Sequence, residues 1–129
     1  MILTIQDTTI GGDLLNEIEI AVQNERTTVK EIIMSRVAAE VNSYNDKLPE
    51  YFKGLVQPSE AEKTLNGFKL KTRKKIDAEQ QAYIALEAFQ QNGFFVLIDD
   101  QQAEDLDQEV LVAKDTSVSF VKLTALVGG

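Results

Sequence analysis

The sequence predicts an α+β fold, a sheet packed around one central helix, and three observations carry that prediction. Residues 1–25 alternate apolar and polar side chains in two runs separated by a glycine pair. Residues 26–45 switch to a three- and four-residue period. The last third returns to strand-like alternation in "FFVLIDD" and "DTSVSFVKLTALV". Period two marks strands and period 3.6 marks a helix, so the chain is expected to run hairpin, helix, then further strands.

Taken in order, "MILTIQDTT" places Met1, Leu3 and Ile5 on one face and Ile2, Thr4 and Gln6 on the other. "IGGD" follows as a turn, since paired glycines supply the positive φ that hairpins require. In "LLNEIEIAVQNE" Ile18, Ile20 and Val22 face inward between Glu17, Glu19 and Ala21, completing a β-hairpin. The helix comes next. Val29, Ile32, Ile33, Val37 and Val41 form one apolar stripe, and Thr28 with Glu31 three residues on makes a capping box.

From about Asn42 to Asn92 the texture changes. "NDKLPEYFKGLVQPSEAEK" carries both prolines and is expected to be loop with one or two short helices, and "GFKLKTRKK" is a basic, extended run. "IDAEQQAYIALEAFQQNG" predicts a second helix, with Asp77 as N-cap, Gly93 as C-cap and an Ala82, Leu86, Phe89 stripe with Tyr83 alongside. "FFVLIDD" is a strand apolar on both faces, and "QQAEDLDQEVLVAK" is expected to be polar loop with a turn around Leu106 and Val110. "DTSVSFVKLTALV" then points Val118 and Phe120 inward against Ser117, Ser119 and Val121.

Composition narrows the function classes. At 129 residues the chain is expected to form one domain, 1–129, large enough to bury roughly two-thirds of its unfolded surface. It contains no histidine and no cysteine, so the commonest general base, thiolate chemistry and the commonest metal ligand are missing. A net charge of −8 opposes binding to phosphate backbones. No run reaches the roughly 18 apolar residues of a membrane span, and no signal peptide is evident. A cytoplasmic protein is expected, without nucleic-acid or membrane partners, without a cofactor or metal, and a binding partner rather than an enzyme.

The element order is that of the β-grasp fold, and the sequence resembles ubiquitin-like proteins at its two ends. "TTIGGD" resembles the first hairpin of ubiquitin, "TTVKEII" stands where that family opens its central helix, and "FVLIDDQQAEDLDQEVLVAKDTSVSFV" tracks its last strands before a Gly-Gly tail. Resemblance covers 1–41 and 94–129. It departs in an insertion at about 42–93 between the helix and the third strand, and in an apolar tail, "TALVGG", where the family is basic. The sequence is thus similar to a divergent ubiquitin-like modifier of a bacterial ubiquitination-like system.

The resemblance implies a passive acyl donor. The carboxylate of Gly129 would be adenylated by an activating enzyme, passed to a transferring enzyme and joined to a protein target, with a peptidase exposing the tail. Gly128 and Gly129 would thread a narrow slot that any Cβ would block. Ile10, Leu97 and Val121 correspond to the family's recognition patch, Leu126 and Val127 to tail contacts, and Lys114 and Lys30 to acceptor lysines. A patch covered by the inserted helix, hence a second small core, is the other reading of Leu97 and Val121. A sulfur carrier with a terminal thiocarboxylate, or a non-covalent β-grasp interaction module, is the functional alternative. The basic run Lys69, Lys71, Arg73, Lys74, Lys75 and the acidic run Asp99, Asp100, Glu104, Asp105, Asp107 are both expected to be solvated surface.

Overall fold

The computed structural model describes residues 1–47, 51–52, 61–64, 67–70 and 77–122, with side-chain environments for 1–46 and 77–122. It is a mixed α+β structure. Strands β1 (Ile2–Thr8) and β2 (Leu14–Ala21) form the expected hairpin. Gly12, at φ 92°, takes the one left-handed position of its turn and donates to the Thr9 carbonyl at 3.0 Å. After β3 (Arg26–Thr28) comes α1 (Val29–Lys47). Thr28 caps it by accepting from the Glu31 N–H at 3.2 Å, while the Thr27 hydroxyl donates to Glu31 Oε2 at 2.6 Å. The reciprocal half of the box therefore comes from Thr27.

Short strands β4 (Tyr51–Phe52), β5 (Ala61–Thr64) and β6 (Gly67–Leu70) make a small sheet of order β4-β6-β5. Of the stretch expected to be loop with short helices, residues 45–47 complete α1, and the described residues beyond them belong to β4 and β5; its other residues lie outside the described set. Helix α2 (Ala78–Gln90) starts at the predicted N-cap, Asp77, whose Oδ1 accepts from the Glu79 N–H at 3.0 Å. Its end differs by two residues from the expectation. Gln91 is the C-cap, Asn92 takes the left-handed conformation at φ 61°, and the Gly93 N–H closes back on the Ala88 carbonyl at 2.7 Å. This is a Schellman ending. Gly93 serves by its smallness, since a Cβ there would come within 3.2 Å of that carbonyl.

Four more strands follow: β7 (Phe94–Ile98), β8 (Gln101–Gln102), β9 (Glu109–Leu111) and β10 (Val118–Lys122). Asp99 and Asp100, both at positive φ, form the two-residue turn between β7 and β8, a geometry whose twist suits a hairpin. The main sheet has the order β2-β1-β10-β7-β8, with β1 and β10 parallel and the other pairs antiparallel. The segment expected to be loop supplies β8 and β9. β9 pairs with β3, and the carbonyls of Leu106 and Gln108 accept from the first amides of α1, Lys30 and Val29. Those amides have no partner within the helix.

The core lies between the sheet and α1. Leu3, Ile5, Ile20, Val96, Val118 and Phe120 face the helix stripe Val29, Ile32, Ile33, Val37 and Val41, all buried. Helix α2 packs chiefly on α1 and adds Ala82, Ala85, Leu86 and Phe89 to the same core. Phe89 meets Phe94 at 5.9 Å between ring centroids, and Phe94 stacks on Phe120 at 5.5 Å. The second helix thus joins the helical layer, and the face of β7 opposite Phe94 and Val96 is not where its stripe is buried.

Candidate functional site

The register of the sheet sets the positions of the three patch residues. Val121 on β10 pairs with Thr8 on one side and Phe95 on the other, and Leu97 pairs with Ser119. By alternation these residues share the face opposite Phe120 and Val96. Ile10, in the β1–β2 turn, lies two residues beyond Thr8 and is 65% exposed. Register therefore brings Leu97 and Val121 onto one face, with Ile10 in the turn beyond Thr8. They are not equally available. Leu97 is half-buried, and Val121 is only 8% exposed. Of the two readings of this face, Val121 fits the covered one and Ile10, on a turn, the open one; α2 is not the cover, since it packs chiefly on α1.

Lys30, in the first turn of α1, and Lys114, in the turn between β9 and β10, are both exposed. Leu126, Val127, Gly128 and Gly129 lie outside the described residues, as do Lys71, Arg73, Lys74 and Lys75; Lys69 falls in β6. The acidic run has local partners. Asp99 Oδ1 accepts from the Ser117 N–H at 2.9 Å, tethering the start of β10, and Asp105 Oδ1 accepts from the Asp107 N–H at 2.9 Å. Among the described residues no three carboxylates converge closely enough to hold a metal ion, and no helix is long and apolar enough to cross a membrane. An open groove of about 450 Å³ runs between the end of α2, β7 and residues 102–106, lined by Phe89, Phe94, Phe95 and Leu106 with Glu104 and Asp105.

The strongest electrostatic feature was not among the expected residues. Arg36, fully buried on α1, is gripped through Nη1 and Nη2 by both oxygens of Asp7, the latter bond at 2.6 Å, and its Nε donates to Glu40 Oε2 at 3.1 Å. Lys122 Nζ, on the last residue of β10, lies 3.7 Å from Asp7 Oδ2. The guanidinium also rests 4.7 Å from the centroid of Phe120, a cation–π distance. Two cations thus face two carboxylates inside the core, across β1, α1 and β10. Burial alone would make Arg36 shed its proton more readily, but the bonds to Asp7 and the charges of Glu40 and Asp7 outweigh it and hold the guanidinium above its ordinary value. Lys122 goes the other way. Burial, joined by the Arg36 charge, pushes its ammonium below the usual lysine value, and the attraction of Asp7 and Glu40 offsets this only in part.

Chemically this quartet holds an alignment. A bidentate pair fixes both position and orientation, so the root of β10 is tied to β1 and α1 immediately before residue 123. A scan against protein-family models returned no match, and neither did searches of curated proteins and of solved structures.

Proposed function

We propose that this protein is a ubiquitin-like modifier of β-grasp type whose Gly129 carboxylate is activated and transferred to a target. The observation that supports the reading most is the strand order, β2-β1-β10-β7-β8 around a central parallel β1–β10 pair, with α1 packed on the inner face. In such a sheet the first strand and the last described strand are neighbours, and β10 lies in the middle with Lys122 seven residues before Gly129. Residues 123–129 carry no charged side chain and include Gly128 and Gly129. The reading needs a free carboxylate on Gly129, native or released by a peptidase.

The transfer proceeds in three steps. The Gly129 carboxylate oxygen attacks the α-phosphorus of ATP and pyrophosphate leaves, giving an acyl-adenylate. A nucleophile of the activating or transferring enzyme displaces AMP, and an amine of the target displaces that nucleophile to form an amide. This chain, without cysteine or histidine, supplies only the acyl group. Its share of the work is a tail with no Cβ at its last two positions and a rigid root, Lys122 on Asp7.

The test follows from the sequence. Lys122 is the last basic residue, so trypsin would leave the segment Leu123–Gly129 on any modified lysine. Tagged at its N-terminus and expressed in its native host, the protein should yield target peptides carrying that seven-residue remnant. A chain lacking Gly128 and Gly129 should yield none while melting like the parent. Equal conjugation by the shortened chain, or no remnant at all, overturns the reading. An intact mass in which sulfur replaces one terminal oxygen would point to a sulfur carrier instead.

A further inference from the structure

The groove at the end of α2 exists because the pairing of β7 stops short on one side. Toward β10 the strand is matched over its whole length, from Phe94 to Ile98. Toward β8 only Leu97 and Ile98 are matched, and the Ala103 N–H adds one bond to the Val96 carbonyl at 2.8 Å. The chain then turns to α1, where the Leu106 carbonyl accepts from the Lys30 N–H. That turn leaves Phe94 and Phe95 on one side of an opening, residues 104–106 on the other and Phe89 of α2 at its end. Its volume of about 450 Å³ falls within the roughly 300–1,000 Å³ of sites that seat a ligand. Of its apolar lining, Phe89 and Phe94 are buried, and Phe95 and Leu106 are half-buried. α2 lies in the stretch by which the sequence departs from ubiquitin-like proteins, so the groove belongs to this chain's own elaboration.

Charge selects the occupant. Glu104 and Asp105 line the same groove and are exposed, and among the described residues neither meets a cation. Their surroundings carry one sign: residues 77–113 hold nine carboxylates and no lysine or arginine. Such a field draws cations and repels anionic lipid or nucleic acid. It also weighs against this chain as its own ligand. Residues 123–129 begin beside Phe94, the partner of Lys122, but they bring no cation and end, on the modifier reading, in a carboxylate. The basic run Lys71, Arg73, Lys74 and Lys75 precedes the start of α2, and the thirteen residues of that helix put the groove roughly 20 Å further on. A second copy brings another net charge of −8. A basic partner meets none of these obstacles.

We propose that this groove docks a segment of a partner protein, a bulky apolar anchor flanked by arginine or lysine. The anchor is buried against Phe89, Phe94, Phe95 and Leu106, and the cations lie beside Glu104 and Asp105. Apolar burial supplies affinity, while the acidic surroundings speed encounter and turn away anionic competitors. The site makes no use of Gly128 and Gly129, so its failure leaves the modifier reading untouched.

The probe is a blocked peptide of two adjacent leucines flanked on each side by two arginines, added to the isotope-labelled full chain. Amide shifts should concentrate on residues 89–95 and 102–106. Replacing the leucines by serines, or the arginines by glutamates, should abolish them. Glu104→Lys with Asp105→Asn should weaken the arginine peptide about tenfold, the sum of two exposed ion pairs. Asparagine keeps an oxygen for the Asp107 N–H and Glu104 is exposed, so the melting temperature should be unchanged. Equal binding by the serine peptide would reduce the effect to diffuse attraction, and shifts centred on Ile10, Leu97 and Val121 would move the site to the sheet face. Either overturns the proposal. So does a tenfold gain in affinity on removing residues 123–129. So does displacement of the groove amides, with no peptide present, on exchanging Lys71, Arg73, Lys74 and Lys75 for serine. In both cases the chain itself fills the groove. Sedimentation of the parent as a dimer that Glu104→Lys disrupts would make a second copy the occupant and overturn it too.

Discussion

Removing one carboxylate from the core should cost more than any surface change in this protein. Asp7→Asn keeps the shape of the side chain and deletes its charge. Asp7 is 1% exposed and Arg36 0%, so water cannot replace what is lost. Arg36 has three hydrogen bonds within the quartet, two to Asp7 and one to Glu40. Two charge-assisted bonds at about 1.5–3 kcal/mol each give roughly 3–6 kcal/mol. Breaking a buried pair by removing one partner costs about 3–5 kcal/mol by an independent route. The two ranges agree on about 4 kcal/mol, a large part of the roughly 5–15 kcal/mol that holds a domain folded.

Urea unfolding measures this directly. The midpoint should fall while the slope stays constant, and a thermal melt should drop by roughly 10–20 °C at this chain length. A companion variant separates the pair from its members. With Asp7→Leu and Arg36→Met together, Glu40 and Lys122 remain as one opposite-charge couple, and the loss should be smaller than the sum of the singles by about 2 kcal/mol or more. An Asp7→Asn protein within about 1 kcal/mol of the parent, with unchanged slope, would refute the reasoning, because a carboxylate that cheap to lose is hydrated.

Lys122 supplies a pH signature: its folded value lies below the ordinary 10.5, so between the two the unfolded chain binds more protons and stability rises with pH. Comparing the parent with Lys122→Met by urea unfolding, the difference should move in the parent's favour as pH is raised towards 10.5; a flat difference would mean the amine is solvated. Of the patch residues, Val121→Asp should cost about 3 kcal/mol or more, a carboxylate in a dry site, whereas Ile10→Asp should stay within about 0.5 kcal/mol. Similar melts for the two would show Val121 to be open. Phe89→Ala should cost about 3–4 kcal/mol and speed exchange of the α2 amides above all others, since that ring joins α2 to Phe94; slow exchange retained in α2 would mean the helix is held some other way.

Local periodicity was legible because each periodic residue reports on its own neighbours. Leu3 and Ile5, the helix stripe from Val29 to Val41, and Val118 with Phe120 are all buried as the pattern predicts. Both helices begin at the residues whose side-chain oxygens accept the first free amides, Thr28 and Asp77. What stayed hidden depends on distant partners. β9 exists only because β3 lies beside it, and a three-residue run such as Glu109–Leu111 has too little pattern to declare itself. Likewise Asp99 and Asp100 read as solvated carboxylates, whereas their positive φ values make them the turn of a hairpin. Main-chain geometry of that kind leaves almost no trace in composition.

The candidate site divides along the same line. The proposal for Gly128 and Gly129 rests on residue type alone, and both lie outside the described residues. Val121 stayed open between two readings because alternation assigns a side chain to a face and says nothing about what covers that face. The buried quartet, by contrast, had a signal that the periodicity itself contains. Asp7 continues the inward series of Leu3 and Ile5, and Lys122 continues that of Val118 and Phe120. Arg36 and Glu40 fall on the same helical face as Ile33, Val37, Val41 and Tyr44. Four charges thus occupy positions where the pattern demands apolar residues, two of each sign. An unpaired charge cannot remain in a core, so equal numbers of opposite charges at inward positions require one another, and their elements must meet. Read that way, Asp7, Arg36, Glu40 and Lys122 call for β1, α1 and the last strand to converge at one point, which is the adjacency of first and last strands on which the modifier reading rests.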